Sequence, residues 1–184
     1  MAMKRLHSLN HYNMVQNHVS ANNVGNAMFF INTLDTIQTP VTAACIEQAA
    51  QVSGVPAVVL LGVIAHEHGR VGSYHQNKNG TLDFGPMQLN SDWIKDNLNQ
   101  LGRYGITAHS ILNNGCVNIQ VGAWRLNRET AKHGMTWEAV GTYHSNTPKH
   151  KVRYVSLVSH EVNKLLNGQL SVQTVIDRAN GLMR

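Results

Sequence analysis

The chain has 184 residues and a mass of 20.3 kDa, the size of one medium domain able to bury a core without metals or staples. With 42% hydrophobic and 14% charged residues it is neither an acidic disordered chain nor a coiled coil. Its richest apolar run, residues 57–65, is far shorter than the roughly 18 residues of a membrane helix, so no membrane span is expected. A net charge of +5 suits anionic polymers such as nucleic acid, anionic lipid or peptidoglycan with its peptide carboxylates. The basic residues are scattered, however, with no uninterrupted run longer than Lys4-Arg5, so a merely soluble basic surface fits equally well. With neither a basic stripe nor a recognition motif, no nucleic-acid partner is expected.

Residues 1–40 are rich in Asn and His and lack periodicity. They read as a poorly ordered leader or extension, with a single domain over residues 41–184. Met3-Lys4-Arg5 could serve as the basic start of an export signal, but the apolar cluster Ala27-Met28-Phe29-Phe30-Ile31 is short and distant. Thr42-Ala43-Ala44 before Cys45 has only the outline of a cleavage site.

From there the punctuation is helical. Thr42 can cap a first helix that runs to Ser53 and stops at Gly54. Pro56 suits the first turn of a second helix that stops at Gly69. The middle of that helix is apolar nearly all round, which places it at the centre of the domain. Residues 70–90 break the pattern, and Asn79-Gly80 is a hairpin turn, so a small β-ribbon is expected there. Ser91 can cap a helix over residues 92–101, and another covers residues 116–133 up to Gly134. Thr136 can cap a short helix through Val140. Pro148 can start a longer one that stops near Gly168, and Ser171 can cap a last one to Asn180. The expected fold is mainly α with a small β excursion.

The informative residue is Glu67, at the C-terminal end of the apolar second helix. Burial beside Val, Leu and Ile and the negative end of the helix dipole both favour its protonated form, the state a general acid needs near neutral pH. His66, His68 and Arg70 would oppose that shift if charged and close. The plainer alternative is an exposed helix-end Glu paired with Arg70. A zinc site is not expected: His-Glu-x-x-His needs a second His where Arg70 stands. Cys45 and Cys116 are too few for a disulfide scaffold. They could form one bridge in an oxidising compartment or remain two buried thiols.

Four ordered blocks carry a family resemblance. They are Ile64-Ala65-His66-Glu67-His68-Gly69, Gly85-Pro86-Met87-Gln88-Leu89-Asn90, Cys116-Val117-Asn118-Ile119 with Gly122-Ala123-Trp124, and Trp137-Glu138-Ala139-Val140-Gly141-Thr142-Tyr143-His144-Ser145. Together, over roughly residues 43–158, they resemble the lytic transglycosylases of the soluble-transglycosylase, goose-type-lysozyme-like class. Tyr-His-Ser in place of Tyr-Asn is similar to the subgroup that accompanies conjugation and secretion machines.

The resemblance implies a lysozyme-like helical fold and a cofactor-independent enzyme that cleaves the bond between N-acetylmuramic acid and N-acetylglucosamine in peptidoglycan. Glu67 would be the single acid/base, and the product a 1,6-anhydromuramyl end. Most glycosidases instead use two carboxylates. His68, Met87, Gln88, Tyr143 and His144 would face the glycan, with the Tyr143 hydroxyl approaching the carboxyl. A Cys45–Cys116 disulfide, a location in the periplasm or cell envelope, and service to a secretion or conjugation apparatus are implied as well. Asp83 is the nearest other carboxylate, with a place either at the groove or at the ribbon edge. The sequence departs from the family pattern at His68, where Ser or Gly is usual, which bears on rate and pH optimum. Competing readings are a muramidase that uses water and an inactive peptidoglycan-binding scaffold.

Overall fold

The computed structural model describes residues 37–183; the expected extension through residue 36 lies outside the described residues. Thr39 is already held by the fold: its N–H donates to Asn113 O at 2.9 Å and its carbonyl accepts from Gly115 N–H at 2.8 Å.

Helix α1, Ala43–Ser53, starts on a Thr42 side chain that accepts from Cys45 N–H, and it ends at left-handed Gly54, as its cap and stop residues predict. Helix α2, Ala57–Glu67, follows Pro56 and buries every residue from Leu60 to Ala65. It is the central helix, packed against α1 and two later helices: α7, Pro148–Leu166, and α8, Val172–Ala179. Gly62 permits the close crossing, because a Cβ there would run into Val162 and Val158. The helix ends one residue before the expected Gly69 stop, with His68 itself in the left-handed region at φ 54°.

The β-ribbon comprises β1, Tyr74–Gln76, β2, Leu82–Phe84, and β3, Leu89–Asn90, antiparallel in that order. The β1–β2 turn closes at Gly80, φ 84°, whose N–H donates to Asn77 O at 2.9 Å. Asp83 pairs with Asn90 across β2 and β3.

Helix α3, Ser91–Gly102, is capped by Asn90 rather than by Ser91. The Ser91 hydroxyl instead accepts from Leu82 N–H at 3.0 Å and ties the helix start to the sheet. A short helix, α4, Ala108–Asn113, was not expected; six residues between Thr107 and Asn114 are too few to show periodicity. Helix α5, Gly115–His133, runs from an Asn114 cap to Gly134. Helix α6, Trp137–His144, starts at Thr136 as expected but continues four residues past Val140, because Gly141 does not interrupt it.

Cys45 and Cys116 form a disulfide joining α1 to α5 across 71 residues, with Cα atoms 5.4 Å apart. The two ends of the domain are also fastened together. Asn180 Oδ1 accepts from Val41 N–H at 2.7 Å, and its Nδ2 donates to Val41 O at 3.0 Å. Among the described residues no helix is long and apolar enough to cross a membrane.

Candidate active site

Glu67 ends α2 with its side chain partly buried. Tyr154 of α7 donates its hydroxyl to Glu67 Oε1 at 2.6 Å. An ion pair to Arg70 is not among the described contacts, so the exposed-pair alternative does not hold. Burial pushes the carboxyl up to about 7; the Tyr154 hydrogen bond and Arg125 oppose this, while Asp83 adds to it. The cation that holds the value down is thus Arg125 of α5, not the His66, His68 and Arg70 neighbours expected from the sequence. Oε1 accepts from Tyr154, and Oε2 takes no part in that hydrogen bond.

Aromatic rings wall the carboxyl. His144 lies flat on Tyr154, with centroids 4.7 Å apart and planes 5° apart, and His66 meets the same ring edge-on at 5.1 Å. Burial lowers both imidazoles below the usual histidine value, helped by the neighbouring His68 and His144 at His66 and by His150 and Arg125 at His144. Burial also raises the Tyr143 and Tyr154 phenols above their usual range. Tyr154 therefore remains a hydrogen-bond donor across the working pH range, between two neutral rings.

The second wall is the turn from Gly85 to Gln88. Gly69 lets it approach the end of α2, since a Cβ there would strike Gly85 O and the Gln88 amide. Gln88 is left-handed at φ 45°, a conformation that costs a non-glycine residue about 1–3 kcal/mol unless its surroundings enforce it. Its Nε2 donates to Gly85 O at 2.9 Å, which leaves the amide oxygen and one N–H uncommitted.

The residues singled out in the sequence thus take different places. Gln88 lies against Gly69, two residues past Glu67, His144 is stacked on the tyrosine that bonds Glu67, and His68, next in the chain, is exposed. Met87 is fully buried, packed against the α5 position of Gly122, where a Cβ would strike its sulfur. The expectation for Tyr143 is corrected: its hydroxyl donates to Met87 O at 2.7 Å, and Tyr154 occupies the place on Glu67. Tyr154 escaped the sequence reading, yet it carried a signal. Tyr154, Val158 and Val162 form a buried stripe at four-residue spacing facing α2, and a tyrosine on such a stripe must find a partner for its hydroxyl. Asp83 receives the Asn77 amide on Oδ2 and the Asn90 amide on Oδ1, each at 2.8 Å, so it is built into the ribbon as well as lying within electrostatic reach of Glu67. Among the described residues there is no group of three His, Cys, Asp or Glu side chains placed to hold a metal.

A helical domain built around a half-buried acid at the end of its central helix is the architecture of a lysozyme-like wall enzyme. Residues 44–166 match the family described as the Transglycosylase SLT domain. The chain is 30% identical over 128 residues to the invasion protein IagB of Salmonella typhi, an alignment spanning 67% of this chain and 78% of the relative. It is 30% identical over 111 residues to protein IpgF of Shigella flexneri, spanning 59% and 70%. A peptidoglycan-binding-like protein of Escherichia coli O157:H7 is 25% identical over 155 residues, spanning 76% and 90%. The chain belongs to the SLT transglycosylase domain family and is a lytic transglycosylase, a lyase acting on peptidoglycan.

Proposed function

We propose that Glu67 is the sole acid/base of the reaction and that the product ends in 1,6-anhydromuramic acid. The protonated carboxyl gives its proton to the glycosidic oxygen between N-acetylmuramic acid and N-acetylglucosamine, and that bond breaks. The resulting carboxylate then takes the proton of the muramyl 6-hydroxyl as this oxygen bonds to the anomeric carbon. The proton balance closes on one residue, and no water is consumed. The observation that carries the reading is a carboxyl held near pH 7 by burial and oriented by Tyr154, half protonated where the enzyme must both give and take a proton. Gln88, with free amide valences beside it, is suited to an N-acetyl group or a hydroxyl. Met87 supports that turn from within the core, and Tyr143 braces it. His68 and His144 line the approach to the carboxyl.

Incubating isolated sacculi with the wild type and with Glu67→Gln, and weighing the soluble products, tests this. Anhydromuropeptides from the wild type alone are expected; cleavage by the variant at the wild-type rate would end the assignment of Glu67. A second reading draws on Asp83, whose charge reaches Glu67. A muramidase using water would give products heavier by one water. Muropeptide binding without any product would favour a scaffold.

The site of action proposed is the periplasm or cell envelope, where peptidoglycan lies and where a disulfide persists. The proposed role there is local opening of the wall for a secretion or conjugation apparatus, a reading supported by likeness to a protein named for invasion.

A further inference from the structure

Arg125 of α5 packs its guanidinium against two rings. Its guanidinium carbon lies 5.0 Å from the Trp93 ring centroid and 4.5 Å from that of Tyr143. Nη2 donates to Tyr143 O at 2.6 Å, and this is its only hydrogen bond among the described residues. A guanidinium has five N–H donors, so most of its hydrogen-bonding capacity is unused. Among the described residues no carboxylate lies within ion-pair distance of it; the ion pairs there involve Lys132, Lys151 and Lys164. The group is nevertheless partly buried, and a partly buried cation without a fixed counter-charge is an unfavourable arrangement that an arriving anion relieves.

Three properties say what kind of anion fits. The donors form a planar fork, which matches a carboxylate in two parallel hydrogen bonds. Two rings pack against the group and the Tyr143 carbonyl holds one of its nitrogens, so little side-chain freedom is lost when the anion binds. The charge also belongs to the site, since it acts on Glu67, Tyr143, His144 and Tyr154 together. In an intact strand the lactyl carboxyl of each muramyl residue is tied up in the amide that carries the peptide stem, so the carboxylates such a strand offers are those of the stem. We propose that Arg125 is a carboxylate subsite that engages the peptide stem of a muramyl residue bound at the cleft, so that the enzyme selects strands whose stem carboxylates are free over strands in which they are amidated. This rests on the reading of Glu67 and its surroundings as the glycan-cleaving site.

The test compares kcat/KM on stem-bearing glycan strands and on the same strands whose stem carboxylates have been chemically amidated. The wild type is expected to prefer the native strands over the amidated ones by about tenfold or more, the worth of one hydrogen-bonded charge contact. In Arg125→Gln the ratio between native and amidated strands falls toward one. If Arg125 only braced the Tyr143 carbonyl, the substitution would lower both rates together and leave their ratio intact, which overturns the proposal. Equal wild-type rates on native and amidated strands overturn it without any variant, so the result stands even if Arg125→Gln does not fold. A wild type that cleaves neither strand removes the reading of the site, and the subsite with it.

Discussion

Glu67→Gln is also a measurement of how the fold treats a carboxyl at the end of α2. The side chain keeps its shape and can still accept the Tyr154 hydroxyl, but it no longer ionises. In the folded protein burial raises this carboxyl from 4.5 to about 7, so the folded state binds the proton more tightly than the unfolded chain does. The stabilisation this gives is fully present below about pH 4.5 and is lost as pH rises through about 7. Above both values, ionising the wild-type carboxyl in place costs on the order of 3 kcal/mol, which the variant does not incur. For a domain of this size that corresponds to roughly 6–12 °C in melting temperature. Calorimetry of both proteins at pH 4, 5, 6, 7 and 8 is the assay. The variant's advantage should grow across that series, most steeply between pH 5 and 7, while other titrating groups cancel between the two proteins. A difference independent of pH would mean that Glu67 titrates like an exposed carboxylate. The argument that it is held protonated for acid catalysis would then fail.

Three more outcomes are expected. Tyr154→Phe removes the hydroxyl that favours the Glu67 carboxylate, so the alkaline limb of the rate–pH profile should move upward while kcat falls by about tenfold or more; an unmoved limb would show that the hydrogen bond does not tune the acid. A Cys45→Ser, Cys116→Ser double variant should lose up to about 4 kcal/mol by the chain-entropy account of a loop this long, read as a lower denaturant midpoint that reductant reproduces in the wild type and not in the variant. Asn118→Ala should lose about 2 kcal/mol or more, because it removes the buried partner of Met87 N–H and Ile111 O; urea unfolding by circular dichroism reads the loss, and an unchanged midpoint would refute the role given to this side chain.

What the sequence revealed and what it hid divide along physical lines. Helix starts and stops are local: Thr42, Thr136 and Ser171 accept the backbone hydrogen bonds that their positions promise. The error at α3 arose because Ser91 and Asn90 are both good caps, and only the sheet decides between them by drawing the Ser91 hydroxyl to Leu82. The apolar middle of α2 announced a central helix, and the carboxyl at its end announced a group that burial keeps protonated more readily, since both depend on residues close in sequence. Partners of that acid come from elsewhere. Tyr154 is 87 residues away and Arg125 lies on a different helix again. Neither could be placed beside Glu67 without knowing that α7 crosses α2 and that α5 carries its guanidinium toward α6.

The same distinction explains why the residues most visible as motifs are not all at the chemistry. Met87 is bonded on both sides of its main chain: its N–H donates to Asn118 Oδ1 at 2.9 Å, and its carbonyl accepts from Tyr143. The next residue, Gln88, is the one in a left-handed conformation. A strained residue keeps its geometry only where its neighbours leave no alternative. Here the preceding peptide is fixed from α5 by Asn118 and from α6 by Tyr143, while Gly69 closes off the space behind. Tyr143 and Met87 therefore act as struts that aim Gln88 at the end of α2, and Tyr154 attends the carboxyl itself. Tyr143→Phe should accordingly loosen the turn and raise KM more than it lowers kcat, whereas Tyr154→Phe should act chiefly on kcat and on the pH profile. Steady-state kinetics on solubilised glycan strands would separate the two tyrosines, and the same kinetic signature from both would refute the division of labour.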